Sequence, residues 1–215
     1  MISATARRPQ FGQGDLSIEP TKSVFINCPF DNEYAELFDA ILFATVCCGF
    51  MPRSALETGN VGEPRLERVI QAIFSSRYSI HDLSRCTGEG TENFARFNMP
   101  LELGIAMARR YMTTDEDHEW LVLAPKGHAY MRFVSDLAAY DPAMHDGSVD
   151  DVVFAVMPWL ATRKHAVPQL NPRQVLAAFP QYQATKHNVQ EAWGGLAPWS
   201  EIVMTAILVA KTLAR

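Results

Sequence analysis

No stretch of this 215-residue chain is apolar for long enough to cross a bilayer. The longest late apolar run, Ile202 to Ala210, falls far short of the roughly 20 residues that a spanning helix needs. It reads as a buried helix or a subunit interface, and no membrane partner is expected. Arg7 and Arg8 stand near the start, but no apolar segment of a secretory signal follows them. Basic residues do not dominate either: 19 lysines and arginines face 24 aspartates and glutamates, for a net charge of −5. Proteins that live on duplex nucleic acid carry a basic excess to replace phosphate counterions, so that partner is not expected. A local basic pocket for a small phosphate ligand stays open.

Cysteine is scarce. Cys28, Cys47, Cys48 and Cys86 form no CxxC pair, and no Cys/His cluster has zinc-ligand spacing, so no metal site is expected. Cys47 and Cys48 sit side by side in an apolar run, where cysteine behaves as a small core residue. A reducing, cytoplasmic setting fits this usage. The common catalytic signatures are also missing. There is no GxxxxGK[ST], no GxSxG elbow and no HExxH, and Gly88-Glu-Gly90 does not open a helix after a strand.

What is present is a core-forming composition, 48% apolar and 20% charged, which excludes global disorder. Residues 1–22 read as a loose polar arm. Residues 23–28 then form a short β-rich run closed by Pro29. Asp31 caps a helix whose apolar positions run from Tyr34 to Thr45, and Gly49 ends it. A second strand spans residues 50–56, and its Pro52 marks an edge or a strand end. Pro64 stands at the first position of a second helix, with Leu66, Val69, Ile70 and Ile73 on the buried face. A third strand covers 78–83, and a polar loop covers 84–97. Pro100 opens a third helix through Ala108. Residues 119–124 form a fourth strand, stopped by Pro125. Residues 130–139 read as helical, 140–145 as a short fifth strand, and 149–162 as a helix despite Pro158. Two further helices follow residue 169.

Strand–helix alternation repeated about five times predicts an α/β fold, a doubly wound parallel sheet with right-handed crossovers and extra C-terminal helices. Helices cover both faces, so the strands can be apolar throughout. In such sheets ligands bind beyond the carboxyl ends of the strands, at the point where the winding reverses. The residues expected there are Asn27, Cys28, Pro29, Phe30 and Asp31 after the first strand. Arg53 and Glu57 follow the second, and His81, Asp82, Ser84 and Arg85 the third. Asn98 and Glu102 come at the next helix, and Lys126 and His128 after the fourth strand.

Arginine forks suit phosphate and carboxylate ligands, which makes Arg53, Arg85 and Arg96 candidate anion binders. Pairing with Glu57, Asp82 or Glu102 to tie loops down is the alternative. His81 is either a proton carrier or a structural histidine at a strand end. Glu102 has two registers. With Pro100 as the first helical residue it stands third, but Met99 then offers no oxygen to complete a capping box; with Asn98 as the cap the box is lost. In either register the helix dipole is expected to favour its ionised form. An ionised carboxylate facing a cleft can act as a nucleophile or stabilise an oxocarbenium ion.

Two segments together resemble the superfamily of nucleoside 2-deoxyribosyltransferases and TIR domains. The first is Val24-Phe-Ile-Asn-Cys-Pro-Phe30, similar to the first strand and aromatic loop of the transferases. The second is Ile80-His-Asp-Leu-Ser-Arg85 followed by Asn98-Met-Pro-Leu-Glu-Leu-Gly-Ile-Ala106. It looks like the family's aspartate after strand three and its helix beginning with a Glu-Leu-Gly element. The likeness spans residues 23–165 and implies flavodoxin-like topology. The stretch from Ile80 to Arg85 also looks like bacterial TIR-like proteins linked to antiphage defence. The transferases' Asp-x-Gly-Thr is absent, and Arg96-Phe-Asn-Met-Pro100 stands in its place, which fits a phosphorylated ligand better than a free nucleoside.

The resemblance implies cleavage or transfer at the N-glycosidic bond of NAD or a related nucleotide, with NAD as substrate and no further cofactor. Catalytic roles fall to Glu102 and Asp82. Substrate binding falls to Asn27, Pro29, Phe30, Asp31, Arg53, His81, Ser84, Arg85, Arg96 and Asn98. The helices of residues 166–215 lie outside the minimal fold and are expected to make a homo-oligomer interface. The rival reading is a nucleotide sensor that binds at the same edge without chemistry.

Overall fold

A computed structural model describes residues 19–57, 62–85, 97–112, 118–127, 131, 134–168 and 170–213. Five strands form one sheet: β1 (Ser23–Asn27), β2 (Met51–Ser54), β3 (Tyr78–Asp82), β4 (Glu119–Pro125) and β5 (Ala143–His145). Their order is β2-β1-β3-β4-β5, and every pair is parallel. This is the flavodoxin-like order, with its switch point between β1 and β3. β2 is an edge strand, as Pro52 indicated, and the expected α/β class is the observed one.

Among the described residues six α-helices accompany the sheet: α1 (Ala35–Cys47), α2 (Arg65–Phe74), α3 (Asn98–Met112), α4 (Val149–Ala161), α5 (Pro172–Ala192) and α6 (Trp199–Leu213). All five residues of β1 and of β3 are buried, because helices pack on both faces. Val24, Ile26, Tyr78, Ile80, Leu121 and Leu123 point into the larger core, shared with α1 and α4. Phe25 points the other way and meets Val69, Ala72 and Ile73 of α2 and Ala106 of α3. Val122 and Ala124 meet Met99 and Leu103 of α3.

α1 is buried continuously from Leu37 to Cys47. A helix apolar all round needs cover on every side. The sheet supplies one side, and α4, α5 and α6 supply the rest. Phe43 stacks on Tyr182 of α5 with ring centroids 4.8 Å apart. Lys186 of α5 reaches both oxygens of the buried Asp39 at 2.5 and 2.7 Å. The C-terminal helices therefore complete the core of this unit. Cys47 and Cys48 are buried, and burial pushes their thiols up to about 12, so packing is the role the structure gives them.

Three expectations need correction. Within 130–139 the described residues form only a short 3-10 helix, Ser135–Ala139, entered from a non-helical Val134. Leu137 is buried in the cluster with Met99 and Leu103, and the partly buried Met131 and Val134 pack against it from outside this short helix. Leu66 is 46% exposed, because it lies one turn ahead of the α2 residues that meet the sheet. Pro64 is the cap of that helix, not its first residue. Residues 1–18 of the arm lie outside the described residues.

Candidate ligand cleft at the carboxyl edge of the sheet

β1 ends at Asn27, and Pro29 has no N–H with which to extend the ladder. Asp31 Oδ1 accepts the Tyr34 N–H at 3.0 Å and closes the turn ahead of α1, but Asp31 is not the cap expected: the helix begins after Tyr34, which holds the cap position without a side-chain bond. On the far side of the switch point α3 begins at Asn98, and Leu101 N–H reaches Phe97 O at 3.1 Å. Pro100 sits in this first turn, where its missing N–H needs no partner. The helix thus starts earlier than Pro100, and Glu102 enters its second turn in neither of the two expected registers.

A cleft of about 190 Å³ opens between these two segments. Asn27, Cys28, Pro29, Phe30 and Asp31 form one wall. Asn98, Met99 and Glu102 form the other, with Arg65 from the first turn of α2. Six of the expected site residues meet here: Asn27, Pro29, Phe30, Asp31, Asn98 and Glu102.

Glu102 is the electrostatic focus. Its side chain is 3% exposed, and Oε2 is buried with no hydrogen-bond partner among the described residues. Oε1 has Arg65 Nη2 at 3.5 Å, too far for a strong hydrogen bond. Burial pushes the carboxyl up to about 7, and Arg65 only partly opposes this. Desolvation is thus the larger of the two effects acting on this carboxyl. Phe30, 38% exposed, presents its ring at the cleft, braced edge-on by Phe38 at 5.5 Å. Cys28 is buried, and desolvation, followed by the charge of Asp82, holds its thiol well above its ordinary value. It lines the cleft as a neutral thiol.

Asp82 is placed differently from Glu102. It is fully buried and does not line the cleft. Oδ2 accepts a short hydrogen bond from Tyr34 Oη and lies 2.9 Å from His145 Nε2, while Oδ1 accepts the Ser84 N–H at 2.7 Å. Ser84 Oγ in turn lies 3.2 Å from His145 Nε2. Asp82, Tyr34, Ser84 and His145 thus form a closed knot joining α1, β3 and β5. His81 lies behind Asn27, fully buried, and desolvation lowers it to about 3. It is neutral and structural in this setting, and no proton carrier at neutral pH.

Arg53 pairs with Glu57, one of the partners the alternative named, whereas Arg85 pairs with carboxylates it did not name. Arg53 Nε sits 2.7 and 2.9 Å from the two oxygens of Glu57. Arg85 holds Asp31 at 3.0 Å and Glu33 at 2.8 Å. Neither lines the cleft. Arg96, Cys86 and His128 lie outside the described residues. Lys126 pairs with Asp151 at 2.8 Å at the opposite end of the edge. Among the described residues the cation that reaches the cleft is Arg65, which was not anticipated. Its signal was available: it follows Pro64, at the opening of the helix that returns from β2.

Among the described residues the arrangement offers a buried carboxyl near 7 with one unpartnered oxygen, a half-exposed guanidinium beside its other oxygen, two amide side chains and an aromatic face. It can hold a polar ring or sugar and stabilise a positive charge beside Glu102. Among the described residues no group of three or more His, Cys, Asp or Glu side chains is placed to share a metal ion. No helix among them is long and apolar enough to cross a membrane. Compared with family models, curated proteins and solved structures, the chain matches none of them.

Proposed function

We propose that the cleft binds NAD or a related nucleotide, and that Glu102 serves cleavage or transfer at its N-glycosidic bond. The observation that carries this reading is the buried, unpartnered Oε2 of Glu102 in the wall of the cleft. A lone carboxyl oxygen without a donor costs stability and persists where a ligand supplies the partner. The nicotinamide ring of NAD is cationic, and so is the sugar carbon as the base departs. Either charge, set against Glu102, favours the ionised carboxylate over the neutral acid.

In hydrolysis, a water oxygen bonds to the anomeric carbon and the carbon–nitrogen bond breaks. The bonding pair leaves with nicotinamide, which becomes neutral, and the water's proton passes to solvent. Glu102 either stabilises the oxocarbenium carbon or bonds to it first and is displaced by water. Phe30 stacks on the base, and Arg65 takes an anionic phosphate. The cavity is smaller than the roughly 300–1,000 Å³ that encloses a drug-sized ligand. It takes one ring or one sugar, and the rest of a dinucleotide lies outside it.

A sensor that binds the nucleotide without chemistry is the second reading. Its favouring observation is Asp82: the second expected carboxylate is taken up by Tyr34, Ser84 and His145, and Asp31 is held by Arg85. A cytoplasmic setting and a role in antiphage defence belong to both readings. Self-assembly through the C-terminal helices would use their outer faces, such as the exposed Leu208, since their inner faces cover α1 and α4.

The test is incubation with NAD, and separately with deoxynucleosides and their monophosphates, followed by chromatography. Released nicotinamide or free base that disappears in Glu102→Gln is the expected result. Intact ligand that nonetheless binds selects the sensor, and turnover retained in Glu102→Gln removes this mechanism.

A further inference from the structure

Behind the cleft runs a line of buried polar side chains that the proposed chemistry does not use. Asn27 Nδ2 lies 3.0 Å from Met99 O and 2.9 Å from His81 Nδ1. His81 Nε2 lies 2.8 Å from Ser79 Oγ. Ser79 Oγ lies 3.1 Å from His118 Nε2, and His118 Nδ1 lies 3.0 Å from Ser76 O. Asn27, Ser79, His81 and His118 are all at most 2% exposed.

The two ends fix every proton between them. Met99 O can only accept, so the amide nitrogen of Asn27 must face it; the flipped amide would set oxygen against oxygen. The second N–H of that nitrogen points at His81 Nδ1, which must therefore be bare, and the His81 proton sits on Nε2. Ser79 Oγ accepts it and gives its own proton to His118 Nε2. His118 then carries its proton on Nδ1 and donates to Ser76 O, which again can only accept. Arg109 Nη1 also lies 2.9 Å from His118 Nδ1 but does not reverse the line. Its two N–H groups are shared among Ile73 O, 2.6 Å away, Ser76 O and this ring nitrogen, and the sense of the line at Asn27 and His81 is set by Met99 O, which only accepts.

We infer that Asn27 is a fixed hydrogen-bond acceptor in the cleft, held by the Met99–His81–Ser79–His118 line, and that it selects ligands presenting an N–H or O–H donor. Both its donors are spent, and no described residue donates to Oδ1, so that oxygen is what Asn27 offers a ligand. The donor is either a carboxamide N–H or a sugar hydroxyl. The selection rests on the cleft being a nucleotide site; the orientation of Asn27 does not. Burial lowers His81 to about 3 and His118 to about 4, so both rings stay neutral and the line keeps one sense at neutral pH. His81, Ser79 and His118 are positioning residues.

Long-range proton–nitrogen NMR of the ligand-free protein reads the two tautomers directly. His81 protonated on Nε2 and His118 on Nδ1 is the expected pair; His81 protonated on Nδ1 overturns the inference. The selection is read by calorimetry on Glu102→Gln, which holds ligands uncleaved, with three probes: NAD, its analogue bearing a ring carboxylate in place of the carboxamide, and its analogue lacking hydroxyls on the ribose joined to the ring. A tenfold or greater loss with the carboxylate assigns the donor to the carboxamide, and with the deoxy analogue to the sugar. In either case the discrimination disappears on adding Asn27→Ala. Equal affinity for all three overturns the selection. Absence of binding by all three removes the nucleotide reading, and with it the selection, while the tautomers still decide the orientation.

Discussion

Arg65 Nη2 stands 3.5 Å from Glu102 Oε1, the first half exposed and the second almost fully buried. The contact is close enough for the guanidinium to pull the carboxyl down, yet burial wins and leaves it near 7. Arg65→Ala is therefore expected to move the Glu102 titration further up and to carry the pH profile of turnover with it. Loss of the charge should also weaken binding of a phosphorylated ligand by roughly ten- to a hundredfold, the range for a charged hydrogen bond. A pH–rate profile of the variant checks the first point, and calorimetry the second.

Glu102 should weaken the fold where it is ionised. Its pKa is raised from 4.5 to about 7, so the folded state holds its proton more tightly than the unfolded chain. That contribution is fully present below about 4.5 and is lost as pH rises through 7. Relative to the wild type, Glu102→Gln should gain stability between pH 4 and pH 8 by on the order of 2–3 kcal/mol. Denaturant unfolding at the two pH values measures this, and comparing differences cancels the cost of the buried amide itself.

His81 and His118 act with the opposite sign. Both are lowered from 6.5, to about 3 and about 4, so the unfolded chain binds protons that the folded state refuses. Their contribution is present above about 6.5 and is lost as pH falls toward the folded values. His118→Gln is destabilising at pH 7, and its deficit against the wild type should shrink by a few kcal/mol on going to pH 4. A deficit that stays constant with pH would mean that His118 is not held neutral.

Asp82 is assigned to structure by its three partners. Tyr34→Phe removes one of them and should cost about 1–3 kcal/mol in urea unfolding. Turnover per folded molecule should stay within a few-fold of the wild type. A hundredfold loss of turnover in a protein of unchanged stability would return Asp82 to the chemistry.

The tie between α1 and α5 gives a prediction away from the cleft. Burial raises the Asp39 carboxyl, and Lys186 restrains it. Lys186→Met leaves Asp39 without its cation and should cost about 3–5 kcal/mol, whereas Asp39→Leu combined with Lys186→Met should recover most of that loss. Thermal unfolding of the single and double variants decides it.

Much of the fold was readable because its signals are local. β1 is a short, mostly apolar run ended by Pro29, and α1 announces itself by a continuous apolar stretch before Gly49, whereas β3, Tyr78-Ser-Ile-His-Asp82, alternates apolar and polar residues and signals weakly. The helix expected across 130–139 is a short 3-10 helix at Ser135–Ala139 among the described residues, since apolar spacing alone does not distinguish one turn from several. The cleft was half readable. Asn27 to Asp31 and Glu102 follow from the rule that ligands sit beyond the carboxyl ends of parallel strands. Which arginine turns inward does not follow from that rule. Arg53 and Arg85 are taken by Glu57, Asp31 and Glu33, and only three-dimensional pairing leaves Arg65 at the cleft. The knot around Asp82 was hidden because Tyr34 and His145 are far from it in sequence. The raised carboxyl of Glu102 was not legible, since desolvation depends on burial that a sequence does not display.

The measurement that bears most directly on the account is a carbon-13 NMR titration of the Glu102 carboxyl, free and with excess nicotinamide mononucleotide. The account predicts a midpoint near 7 in the free protein and a clear fall when the cationic ring enters the cleft. A midpoint near 4.5, unmoved by the ligand, would contradict it: Glu102 would then be an ordinary solvated carboxylate, and the cleft would have lost the feature on which its function rests.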